Sequence, residues 1–111
     1  MKESEKIILD KIKAYAIETL DFKGDIDIDE FSNDRKTIAA CVMNLSQIGE
    51  LAAKLDDEFV NTNTDIPWRK IRGMRNRIVH DYEGLQLNIV WDVLEDFIPE
   101  LIEKLEKYDI Y

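Results

Sequence analysis

Apolar residues recur at steps of three and four along most of the chain and nowhere alternate with period two for long enough to make a strand. That pattern restricts the fold to packed helices. In the first segment, Glu3 to Leu20, Ile8, Ile12, Tyr15 and Thr19 share one side, while Lys6, Lys13 and Glu18 fall away from it. Gly24 and the acidic stretch Asp25 to Asp29 read as a solvated turn. A second, longer helix is expected from Phe31 to Leu55, with Ile38, Cys41, Leu45, Ile48, Ala52 and Leu55 facing the core and Asp29, Ser32 or Asn33 as its N-cap. Gly49 sits inside this helix, where it costs about 1 kcal/mol relative to Ala. A close helix–helix contact is the usual compensation.

Asn61 to Asp65 breaks the pattern, and Pro67 suits the first turn of a third helix, Trp68 to His80, ended by Gly84. The last segment, Leu87 to Tyr108, places Val90, Leu94, Phe97, Leu101, Leu105 and Tyr108 on one stripe. Pro99 removes a backbone hydrogen bond in its middle, so a kink is expected near Glu95 to Ile98. The expected fold is all-α, an up-and-down bundle of four main helices with a kinked last helix. With 111 residues, 45% of them hydrophobic, and no repeat or linker-like stretch, residues 1–111 read as one domain.

Composition narrows the chemistry. Cys41 is the only cysteine, so no intrachain disulfide forms, and a reducing, cytoplasmic setting is expected; at its position on the apolar stripe it reads as a small core residue. The charge-broken N-terminus reads as neither a signal peptide nor a membrane span. One Cys and one His cannot assemble the usual zinc shell, and the acidic run lacks calcium-loop spacing, so neither a metal nor a cofactor is expected. Trp68 and Trp91 read as core or dimer anchors ahead of base-stacking groups. Gly73 is isolated: helix packing and close approach by RNA explain it equally well.

Charge is distributed unevenly. The chain carries 15 Lys and Arg against 24 Asp and Glu, a formal net of −9. Yet Arg69, Lys70, Arg72, Arg75 and Arg77 fall within the nine residues RKIRGMRNR, which contain no acid. The remainder is then 10 basic against 24 acidic, a net of −14. Such a body suppresses wrong orientations of a polyanion and favours docking at the basic helix. A solvated arginine face with His80 at a helix C-terminus is the ordinary explanation of such a run. Its neighbours argue for more, because Asn76, His80, Asp81 and Tyr82 stand beside the arginines. Arg72, Asn76 and His80 are four apart on one face, and Arg75 and Tyr82 seven apart on the next.

These residue types suit cleavage of RNA without a metal. His titrates near neutrality and can move protons at the 2′-hydroxyl or the leaving oxygen. Arg is a permanent cation that grips a phosphate through two N–H groups. One His per chain is thin for paired acid and base work, and a two-fold dimer with two His80 and two Arg75 around one cleft supplies the missing groups.

Arg75-Asn-Arg-Ile-Val-His80-Asp-Tyr82 fits the pattern Arg, four residues, His, any residue, Tyr. Together with PWRKIRGMRNRIVHDYEGL, the upstream DRKTIAACVMNLSQIGELAAKL and the downstream IVWDVLEDFIPEL, it resembles the HepT-like branch of the HEPN superfamily over nearly the whole chain. The resemblance implies an all-helical homodimer acting as a metal-independent endoribonuclease, the toxin of a two-gene toxin–antitoxin module, with its active site at the dimer cleft. By that likeness Arg75 and His80 are the catalytic pair and Asn76 is the polar residue after the arginine, with Asp81 supporting. Tyr82 corresponds to the tyrosine that a minimal nucleotidyltransferase antitoxin modifies with AMP. Arg69, Lys70, Arg72 and Arg77 are the candidate RNA-phosphate contacts, and a tRNA is a substrate suggested by the family.

Two other readings use the same residues. Similar helical domains accompany nucleotidyltransferases as non-catalytic modules that bind nucleotide or RNA, with the arginine helix only holding phosphates. A purely structural helix pair would instead present the basic cluster to an acidic partner surface.

Overall fold

The computed structural model describes residues 1–81 and 87–110, with the backbone alone at 79–81, 109 and 110. Its helices are α1 (Glu3–Lys23), α2 (Ile28–Ser32), α3 (Arg35–Ala53), α4 (Asp57–Thr62), α5 (Trp68–Asp81), α6 (Leu87–Asp92) and α7 (Ile98–Glu106). A π-helical turn at Val93–Phe97 joins α6 to α7, and a 3-10 turn, Lys107–Ile110, follows. No strand occurs among the described residues, so the fold is all-α. α3 packs against both α1 and α5, and α1 also packs against α7. All share one apolar cluster, in which Ile12, Phe31, Leu45, Ile48, Trp68, Ile71, Leu94 and Ile98 are essentially excluded from water.

α1 runs one turn beyond the expected end, because Gly24 is the first residue able to stop it cheaply. Its φ of +59° reverses the chain while its N–H bonds the Leu20 carbonyl at 2.9 Å. The buried stripe is Leu9, Ile12, Ala16 and Thr19, with Ile8 and Tyr15 only half-buried. Contact with two neighbours, α3 and α7, turns α1 slightly away from the face that a single apolar stripe suggests.

The expected helix from Phe31 to Leu55 is two helices. Asp27 and Glu30 form a reciprocal capping box, Glu30 N–H to Asp27 Oδ1 at 2.9 Å and Asp27 N–H to Glu30 Oε1 at 3.3 Å, and this starts α2 inside the expected turn. Ser32 and Asn33 close α2 by donating to the carbonyls of Ile28 and Asp29. The N-cap of α3 is then none of the three candidates but Asp34, which accepts from Thr37 N–H at 3.0 Å and Thr37 Oγ1 at 2.6 Å. Short polar side chains thus override a continuous helical period. α4 lies where no element was expected, and it buries Phe59 and Val60.

Pro99 acts close to where expected, through the π-helical turn at Val93–Phe97, which overlaps Glu95 to Ile98. The Ile98 N–H bonds the Val93 carbonyl five residues back, widening the helix ahead of the proline. A wider turn moves the Glu95 carbonyl off the pyrrolidine ring and keeps the apolar stripe on one side. Leu94, Ile98, Leu101 and Leu105 all remain buried.

Cys41 is a core residue: it is fully buried, and burial pushes its thiol up to about 11. Trp68 is core as well. Trp91 is half-buried, its ring 5.2 Å from that of Phe31 with Lys23 Nζ 4.8 Å above it. Among the described residues, no helix is long and apolar enough to cross a membrane.

Candidate active site

The basic run forms α5. The Pro67 carbonyl accepts the first helical N–H bonds, from Lys70 and Ile71, and Trp68, Ile71 and Ile78 anchor the inner face. Arg69, Lys70, Gly73, Asn76 and Arg77 are left exposed. Arg72 and Arg75 occupy the flank between the two faces and bend towards α3.

Those two arginines have different surroundings. Arg72 Nε donates to the Ala52 carbonyl at 3.0 Å and Nη2 to the Leu55 carbonyl at 2.8 Å, with Nη1 3.7 Å from Asp57. It therefore ties the C-terminal end of α3, through Ala52, and the following Leu55 to α5; the Ala52 carbonyl also accepts Leu55 N–H at 3.2 Å. Arg75 lies one turn further along. A Cβ built on Gly49 would come within 2.5 Å of Arg75 Cβ and 3.3 Å of both Arg75 Cγ and the Ile71 carbonyl, so the expected close helix contact at Gly49 is with Arg75 itself. Arg75 Nη2 pairs with Glu50 Oε1 at 2.7 Å, and Nη1 reaches Asn76 Oδ1 at a long 3.4 Å. Its Nε is buried and has no hydrogen-bond partner among the described residues.

Of the expected site residues, Arg75 and Asn76 come together at the surface, and Arg72 is drawn away to the end of α3. Arg69 donates to Asn61 Oδ1 at 2.7 Å, and Lys70 lies beside Phe97 and Glu100 of the neighbouring helices. Gly73 faces open space, with nothing within 4 Å of an added Cβ among the described residues, so it packs against none of their helices. His80 and Asp81 close α5, where five residues from Arg75 to His80 span about 7.5 Å of helix axis. The side chains of His80 and Asp81, and all of Tyr82 and Gly84, lie outside the described residues. Sequence reasoning missed Glu50, which no motif marks. Gly49, one residue before it, was the only signal that something approaches there.

The arrangement offers a partly exposed guanidinium fixed at root and tip, on the helix that carries the chain's only histidine. A phosphate oxyanion is the natural ligand of such a group.

An all-helical domain built around an Arg-x4-His helix defines the class. The family model described as "Ribonuclease HepT-like" matches residues 8–108. A protein of Thermococcus cleftensis named "Probable ribonuclease HepT" is 35% identical over 108 residues, covering 96% of this chain and 97% of its own. Two proteins of Methanocaldococcus jannaschii, each named "Putative RNase", are 33% identical over 88 residues (79% of this chain, 73% of theirs) and 30% identical over 106 residues (96% and 91%). No solved structure matches the chain at a significant level. The chain belongs to the HepT-like ribonuclease family.

Proposed function

We propose that this protein is a metal-independent endoribonuclease, the toxin of a two-gene module, with Arg75 and His80 as its catalytic pair. The observation that carries the reading is the Arg75 guanidinium, held at the surface by Glu50 on the same helix as His80, in a chain of a ribonuclease family. His80 takes the proton of a ribose 2′-hydroxyl. The freed oxygen then bonds to the adjacent phosphorus, and the bond from phosphorus to the 5′-oxygen breaks. The products are a cyclic phosphate and a 5′-hydroxyl, the latter taking its proton from the histidinium of a second copy. Arg75 holds the phosphate oxygens while charge accumulates on them. Asn76 and Asp81 support the pair. Arg69, Lys70 and Arg77 lie along the path of flanking phosphates, with Arg72 contributing field from its capping position. A homodimer supplies the second His80 and Arg75. The substrate class is RNA, with tRNA the candidate that the family suggests.

The same reading assigns a switch at Tyr82. A nucleotidyltransferase partner moves AMP from ATP to the phenol oxygen, releasing pyrophosphate. The new phosphate then stands near Arg75 and His80, neutralising the cations and filling the cleft with adenosine.

The deciding experiment is RNA cleavage by the partner-free protein in the presence of chelator, with His80→Ala alongside. Wild-type cleavage that disappears in His80→Ala while RNA affinity persists is the expected result. Equal RNA binding by both proteins with cleavage by neither replaces the enzyme with a phosphate-binding module. Tyr82→Phe is expected to cleave like wild type and to remain active when the nucleotidyltransferase and ATP are added; silencing equal to that of wild type would disprove the switch.

A further inference from the structure

We infer that Glu50, together with Gly49 beside it, positions Arg75. The inference rests on the reading of Arg75 as the phosphate-holding group in RNA cleavage and adds a residue of α3 that the motif does not contain.

An arginine side chain has four rotatable bonds, and fixing them costs conformational entropy that something must offset. Here the two ends are fixed separately. At the root, the missing Cβ of Gly49 lets Arg75 Cβ and Cγ press against the backbone of α3, in space that an Ala methyl would fill. At the tip, Glu50 Oε1 takes Nη2 at 2.7 Å. Between them, Nε is buried with no partner among the described residues. A buried donor without an acceptor favours any rotation that returns it to water. The Glu50 ion pair opposes that rotation, and the 3.4 Å approach to Asn76 is too long to do so alone.

Glu50 also leaves the guanidinium able to bind. Of the four hydrogens on Nη1 and Nη2, the described residues engage one through Glu50 and approach another through Asn76, which leaves two for the two oxygens of a phosphate. One carboxylate therefore orients the fork without consuming it. Because the side chains of Arg75 and Glu50 are 40% and 48% exposed, the pair contributes little to stability. Removing it should leave the bundle folded, and that separates positioning from a merely structural role.

The experiment compares wild type, Glu50→Gln, Arg75→Ala and His80→Ala by cleavage kinetics, melting temperature and nitrogen-15 NMR of the arginine Nε–H groups. In wild type, the Arg75 Nε–H should exchange with water more slowly than those of the exposed arginines. In Glu50→Gln its exchange should rise to theirs, with kcat down about tenfold, KM within about twofold and the melting temperature unchanged. Unchanged exchange, or a kcat equal to or above that of wild type, overturns the positioning role. Should Arg75→Ala and His80→Ala cleave like wild type, or should wild type not cleave, the ribonuclease reading of Arg75 has failed. The exchange rates then still decide whether Glu50 holds the guanidinium.

Discussion

Arg75→Ala should leave a folded bundle that cleaves RNA at least about a hundredfold more slowly at saturating RNA. The side chain is a surface cation with one buried, unpartnered nitrogen, so its loss removes an unsatisfied donor along with an ion pair. Stability is therefore expected to change little, while stabilisation of developing phosphate charge is lost. Arg75→Lys should recover less than about a tenth of wild-type activity although it keeps the charge. A single ammonium cannot meet Glu50 and present a planar pair of donors to a phosphate together. Single-turnover cleavage with saturating enzyme reads this directly. A lysine variant as fast as wild type would show that only charge matters at this position, and would also remove the reason for holding a fork in one orientation.

Gly49→Ala and Gly73→Ala should shift stability in opposite directions, although both place a better helix former inside a helix. At Gly49 the added methyl would meet Arg75 Cβ at 2.5 Å and the Ile71 carbonyl at 3.3 Å. Neither is the far end of a flexible side chain, so α3 and α5 must separate. Overpacking of that kind costs about 1–3 kcal/mol, more than the propensity gain of about 1 kcal/mol returns at the upper end. The net cost of up to about 2 kcal/mol lowers Tm by up to about 10 °C, and cleavage should fall with it because Arg75 is carried outward. At Gly73 nothing lies within 4 Å, so the propensity gain of about 0.5–1 kcal/mol stands alone and Tm should rise by a few degrees. Calorimetry on the two variants is decisive: a rise at Gly49 would mean that the helices part at no cost. If Gly73→Ala is more stable yet binds RNA more weakly, the open backbone at Gly73 is where RNA comes closest.

Much of this was legible in the sequence. Helical periodicity located the four main helices, the proline-induced irregularity and the core placement of Cys41, Leu45, Ile48 and Leu94, because burial of a helix face depends on spacing within the helix. The basic run and the Arg-x4-His-x-Tyr pattern marked α5 as the chemically important element. Where local side-chain bonding competes with periodicity, the sequence reading failed. Asp27 with Glu30 and Asp34 with Thr37 divided one expected helix into two, and α4 lay in a stretch too short to show a period.

The family pattern set Arg75 apart from Arg72, but how each is anchored was not legible. One caps the end of α3 and the other pairs with Glu50 at the surface. Gly49 and Gly73 look equivalent as helix glycines, yet one is pressed against Arg75 and the other faces open space. The sequence by itself determined the main helical segments and their apolar faces, since those depend on neighbours three or four residues away, and its basic run singled out α5 as the candidate reactive helix. Only the tertiary structure decided which arginine caps α3 and which pairs with Glu50 at the surface. That depends on the register between α3 and α5, where a 20-residue separation in sequence becomes a hydrogen bond of 3.0 Å.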